Sequence, residues 1–283
     1  MNNTNKINRL VLLAKQFLAA LFVLLTLAPL TICADEPRIT SAIATLNLAS
    51  TDWCPYSCDD PGKPGFITEA MTQALANYDI SLSVSILPWS RAIKMTEQGN
   101  FDGLLIAIPG EAPGFRLTEK PSGQNNNCLF SLPDSVFTYH DRGSLNGVVL
   151  GAIQDYRYGK PIDDIIDAPV SGEQIYFLSS SKPLYSLVEM TYKNRIGTFV
   201  EDRLVLGNYL QSHKNRPLKN VGCLERAPLF TAISPSYKKH KEVITLLNKL
   251  LDSEDYKSLY KQAEQRYTGN YLRSLEFTPD IIR

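Results

Sequence analysis

GFITEAMTQALANYDISLSVSILPWSRAIKMTEQGNFDGLLIAI, residues 65–108, decides the fold. Phe66, Ala70, Met71, Ala74 and Leu75 recur at helical spacing, so the stretch opens with an amphipathic helix. SLSVSIL, residues 81–87, alternates polar and apolar side chains as a half-buried strand does. Pro88 can start a second helix and Gly99 can close it, because proline suits the first helical turn and glycine the exit. FDGLLIAI, residues 101–108, is an apolar run short enough for a strand buried on both faces. A weakly alternating segment at 42–49 precedes the block. Strand, helix, strand, helix, strand is the opening of an α/β domain with a parallel sheet.

Outward from that block the pattern pauses and then repeats. Residues 52–65, DWCPYSCDDPGKPG, have the Pro, Gly and Asp content of a loop. Residues 109–127 read as a long polar connection, and CLFSL, residues 128–132, as a strand. VVLGAIQDYRYG, residues 148–159, begins a second α/β series with a strand, a turn and a helix. IYFLSS, PLYSLVEMTYKN, RIGTFVED and RLVLGNYLQSH continue it as strand, helix, strand and helix. PLFTAISP, residues 228–235, is a strand bounded by prolines. Residues 237–267 carry two amphipathic helices divided near Asp252 and Ser253. Two α/β series joined by two crossings imply two lobes: residues 35–133, residues 134–227, and a return to the first lobe over 228–283. Open α/β sheets bind ligands beyond the carboxyl ends of their strands, so two such sheets facing each other make a closable cleft.

The first 34 residues read as a targeting segment. Lys6, Arg9 and Lys15 precede an apolar run over 17–32, and the first acidic residue is Asp35. That run is short of the roughly 20 apolar residues a span needs, and Ala34 offers a small residue at the exit. Cleavage there, export to the periplasm and a mature chain from Asp35 are the expectation. A lipid anchor at Cys33 is disfavoured by the bulk of Ile32 before it. Removing those three bases from a chain with 29 basic and 29 acidic residues leaves a net charge of −3. Such a balance gives no electrostatic case for nucleic acid or an anionic membrane.

Export permits disulfides. Cys54, Cys58, Cys128 and Cys223 allow three complete pairings, and proximity favours Cys54 with Cys58, leaving Cys128 for Cys223; free buried thiols are the alternative. His140, His213 and His240 stand apart from one another and from the cysteines, so no metal site is expected. None of the common nucleophile, phosphate-loop, zinc-protease or dinucleotide motifs occurs. Trp53 and Trp89 each sit just past an expected strand, where a cleft would lie, although packing is the usual fate of an aromatic ring. Arg91, Arg116 and Asp202 fall at loop or strand-end positions.

These strings together resemble the family-3 extracellular solute-binding proteins, which commonly serve polar amino-acid ABC transporters. TDWCPYS is similar to the first ligand loop of that family and GFITEAMTQAL to its Gly-Phe-opened helix. QGNFDGLLIAI, RIGTFVEDRLVLGNYL and PLFTAISP, the last followed by two helices and RYTG, match in order over nearly the whole mature chain. The resemblance implies a two-lobed α/β fold, a small polar ligand, an ABC permease as partner, a monomer, and neither cofactor nor catalysis. It places Trp53, Tyr56 and Trp89 on the walls of the cleft and Asp202 on an ammonium group. It brings Arg116 near the position that grips an α-carboxylate, with Arg91 as rival. Gln154, Asp155 and Tyr156 take the lobe-two turn facing the ligand. The chain departs from the pattern in having Ala107, Pro109 and Gly110 before Arg116, and QDYRYG in place of the usual Gly-Ser/Thr pair. A receptor-coupled sensor and a dehydratase-like enzyme share the scaffold, the latter with Glu201 or Asp155 as its acid.

Overall fold

A parallel sheet forms where residues 65–108 alternate. β1 (Thr45–Ser50) lies between β2 (Ser81–Ile86) and β3 (Gly103–Ala107), parallel to both, and α1 (Phe66–Ala76) and α2 (Trp89–Glu97) make the crossovers. α1 buries Phe66, Ala70, Met71, Ala74 and Leu75, the residues at helical spacing, and β3 is buried at every position. The computed structural model describes residues 43–180, 182–214 and 216–269. The targeting segment, Cys33, Asp35 and Ala42 lie outside the described residues.

The connection after β3 is not structureless. It contains β4 (Arg116–Leu117) and β5 (Gly123–Asn125), both of which pair with β11 (Ala227–Ile233), itself antiparallel to β3. Strands of two and three residues with polar side chains carry no period to read. β6 (Asn127–Ser131), β7 (Val149–Ile153), β8 (Gln174–Leu178), β9 (Thr198–Asp202) and β10 (Lys219–Cys223) form a second sheet in the order β10-β6-β9-β7-β8. Its helices are α3 (Ile162–Asp167), α4 (Pro183–Tyr192) and α5 (Arg203–His213). The helix expected straight after β7 is postponed: Asp155 turns left-handed at φ 64, and Pro161 precedes α3. A proline interior to a helix would lose a hydrogen bond and clash, so it marks the start instead.

After β11 the chain adds α6 (His240–Asp252) and α7 (Glu254–Thr268) to the first lobe. Ser253 divides them and caps α7 by accepting from the Tyr256 amide. The described residues therefore hold two sheets and seven α-helices.

The two crossings are β5 to β6 and β10 to β11. The segment CLFSL pairs with β9 and β10 and so belongs to the second sheet. Both expected disulfides are present: Cys54–Cys58 closes the loop after β1, and Cys128–Cys223 joins β6 to β10 beside the crossings. Leu46, Leu48, Phe66, Met71 and Leu247 belong to the first lobe's core. The second lobe buries Phe130, Phe199 and Leu187 on one face and Leu150, Val200 and Val221 on the other. Among the described residues no helix is long and apolar enough to cross a membrane.

Candidate functional site

The loop after β1 is a small rigid unit. Trp53 bridges to Ser57, the Cys54–Cys58 disulfide spans the turn, and Gly65 follows at φ 97. A Cβ on Gly65 would lie 2.4 Å from the Tyr56 carbonyl oxygen, so only glycine lets the loop run this close before α1. The Trp53 ring stacks on Tyr56 at 4.5 Å between centroids, and Tyr56 tilts onto Phe66 at 4.8 Å. Both polar tips reach the second lobe. Trp53 Nε1 donates to Glu201 Oε1 at 3.1 Å, and the Tyr56 hydroxyl donates to Asp202 Oδ2 at 3.1 Å.

Three further contacts close the lobes on each other. Ser90, on α2, donates to Asp155 Oδ2 at 2.5 Å. Glu111, in the loop after β3, accepts from the Ile108 amide at 2.8 Å with Oε2 and from the Arg157 amide at 3.1 Å with Oε1. Tyr156 lines the cavity beside Thr51, and its ring packs against the first-lobe cluster that includes Ala49, Trp89, Ala92 and Ala107. The cleft that remains is a cavity of about 30 Å³ lined by Ser50, Thr51, Trp53, Trp89, Glu111 and Tyr156, with Ile106, Ile108 and Leu229. That space holds a water or two, since one water needs at least about 10–15 Å³ of it.

The electrostatics are acidic. Burial pushes Glu111 up to about 8, against its two amide donors. Burial also pushes Glu201 up to about 7, although Trp53 and the Asp202 amide hydrogen-bond to it. Asp155, exposed and hydrogen-bonded by Gln154 and Ser90, is held below the ordinary carboxylate range. Among the described residues no arginine or lysine lines the cavity.

The expected site residues divide into two groups. Trp53, Trp89 and Tyr156 meet at the cavity, and Ala107 belongs to the buried cluster that holds Trp89 and against which Tyr156 packs. Arg91 and Arg116 do not join them. Both are exposed, Arg91 on α2 and Arg116 on β4, paired along β11, so neither is placed to grip a carboxylate in the cavity. Gln154 is exposed and spends its amide on Asp155.

Asp202 is fully buried and already saturated. Oδ1 caps α5 by accepting from Leu204 and Val205, and Oδ2 accepts from the Asn126 amide and from Tyr56. Four acceptances use the lone pairs of a carboxylate, so in this structure it ties hinge, helix and both lobes. The chain's own Glu111 escaped sequence reasoning. Its only signal was an acid inside the irregular GEAPGFR segment. Among the described residues no cluster of potential metal ligands occurs.

No family model matches the sequence, and no curated protein matches it either. Solved structures do match. A histidine kinase sensor domain with similarity to periplasmic binding proteins superposes with a TM-score of 0.67 at 14% identity, over 80% of this chain and 97% of that one. This chain has the fold of a periplasmic solute-binding protein. Another solved example of the solute-binding fold is an ABC uptake transporter substrate-binding protein from Streptococcus pneumoniae with bound histidine. It gives a TM-score of 0.62 at 15% identity, over 81% of this chain and 94% of that one. An ancestral amino acid-binding protein described as a precursor of cyclohexadienyl dehydratase gives 0.62 at 16%, over 79% and 95%.

Proposed function

We propose that this protein is an exported solute-binding protein that captures a small polar ligand of the amino-acid class between its lobes and presents it to an ABC-type permease. One observation carries the reading: Trp53, Trp89 and Tyr156 converge from both lobes on a small cavity with Glu111 in its wall and Glu201 bound to Trp53. Aromatic faces attract organic cations, and an ammonium group arriving beside them would favour the ionised form of the neighbouring Glu111 carboxyl, completing that end of the site. With no guanidinium in the cavity wall, the amine matters more here than the carboxylate. The signal-like start and two disulfides support a periplasmic site of action.

Isothermal calorimetry of the mature protein tests this with α-amino acids alongside the amines that lack their carboxyl group. Binding of an amine-bearing ligand, weakened about tenfold or more in Trp89→Ala, is expected. Failure of both ligand sets would end the proposal. The resemblance to a sensor domain supports a second reading, in which the same cleft signals to a receptor; co-purification with a permease or with a receptor separates the two. Glu201, pushed to about 7, is the group from which proton transfer would start if the scaffold had acquired catalysis. Recovery of the bound ligand unchanged would exclude that.

A further inference from the structure

A second cavity, of about 500 Å³, lies against the two crossings and shares no residue with the aromatic cleft. Its size is within the 300–1,000 Å³ common for small-molecule sites. Asn125, at the end of β5, lines it. This side chain is 1% exposed, yet neither its amide nitrogen nor its amide oxygen has a hydrogen-bond partner. A buried amide without partners is a standing cost in the empty protein, and it offers two donors and an acceptor to whatever arrives.

The walls are basic. Arg203, at the start of α5, belongs to the second lobe, and its guanidinium forms no ion pair among the described residues. Arg226 stands in the return crossing. Lys120, before β5, pairs with Asp252 at 3.2 Å, an exposed contact that a ligand can exchange cheaply. Tyr260 and Glu264 of α7 line the cavity as well, with Glu264 in electrostatic reach of Arg226. Burial holds the Glu264 carboxyl above its ordinary value against the pull of Arg226, and among the described lining residues the one other acid is Asp252.

We infer that this hinge cavity is a second ligand site, for a small organic anion bearing a carboxylate or phosphate together with hydroxyl or carbonyl groups. The guanidinium forks of Arg203 and Arg226 match the planar geometry of such anions. The Asn125 amide reads the neutral polar part. Arg203 comes from one lobe, Lys120 and α7 come from the other, and Asn125 and Arg226 flank the crossings, so an occupant touches every part that a hinge motion displaces.

Two-dimensional NMR of the mature protein, with succinate, citrate, glycerol 3-phosphate and inorganic phosphate as probes, tests this; the carboxylate and phosphate arms distinguish the source of the anion. At least one probe is expected to bind saturably and to move the amides of residues 123–126 and Arg203. In the Arg203→Gln, Arg226→Gln double variant its affinity falls about tenfold or more, whereas the Lys182→Gln, Lys193→Gln double variant, an equal loss of charge at the two ends of α4, leaves it unchanged. Asn125→Leu should lose the anion while the ligand-free protein melts at a higher temperature, because an apolar side chain removes the unpaired amide. If that variant does not fold, the arginine pair decides alone. No saturable probe, shifts clustered elsewhere, or binding indifferent to the arginine pair would overturn the inference.

Discussion

A carboxylate that accepts four hydrogen bonds from its own chain has little left for a ligand, and Asp202 is such a group. Asp202→Ala removes a helix cap worth about 1 kcal/mol and strands the Asn126 amide and the Tyr56 hydroxyl, each at a cost of roughly 1–3 kcal/mol. A loss of about 3 kcal/mol or more in urea denaturation at pH 7 is expected. A variant as stable as its parent but unable to bind ligand would return Asp202 to the ammonium role. Glu111 presents the opposite case, an acid held near 8 by burial. In the unfolded chain it ionises near 4.5, so between about pH 4.5 and 8 the folded state binds more protons than the unfolded one. Stability from this group is complete below 4.5 and is lost as pH rises through 8, at up to roughly 1.4 kcal/mol per pH unit. Glu201, near 7, and Asp202, near 6, add slopes of the same sign. Calorimetric melting of the parent should therefore fall across that window, and Glu111→Gln should flatten the fall whatever it does to the absolute melting temperature. An equally steep profile in the variant would refute the assignment.

At the scale of elements, the two disulfides constrain different things. Cys54 and Cys58 are four residues apart, Cys128 and Cys223 ninety-five. Chain-entropy arithmetic gives about 2 kcal/mol for the short loop and nearly 5 for the long one, before strain. Replacing both cysteines of the long bridge by serine should thus lower the urea midpoint far more than the same change in the short bridge, whose expected effect is on the Trp53 wall. Similar midpoints for the two double variants would contradict this ranking. The elements themselves were legible wherever a period ran long enough. α1, α6 and α7 follow their apolar spacing, and β3 follows its unbroken run. β4 and β5 were not legible, because their order comes from β11, more than a hundred residues further along the chain. The site was partly legible for the same reason. Trp53 and Trp89 follow strands and so reach the cleft, whereas Arg116 is drawn onto β11 by a pairing no local pattern announces.

At the scale of the molecule the lobes are shut on their own side chains. Tyr156 leaves the second lobe, packs with Trp89, Ala49 and Ala107, and narrows the cleft to about 30 Å³, too little for an amino acid. A ligand of that class must displace this ring, and its apparent affinity is reduced by the small fraction of molecules in which the ring has withdrawn. Removing the ring should therefore do two things at once. Tyr156→Ala gives up the aromatic packing contact with the first lobe, which shifts the balance toward separated lobes. Ser90 with Asp155, Glu111 with Arg157, and Trp53 with Glu201 remain, so the variant folds as two intact cores and differs in how often they part. Small-angle scattering should report a larger radius of gyration for ligand-free Tyr156→Ala than for the parent. An amine-bearing ligand confirmed by calorimetry should bind the variant with a faster association rate, since no ring need leave first. A variant with the parent's radius and the parent's association rate would mean that Tyr156 is a passive part of the wall and that the lobes are held by the polar contacts alone.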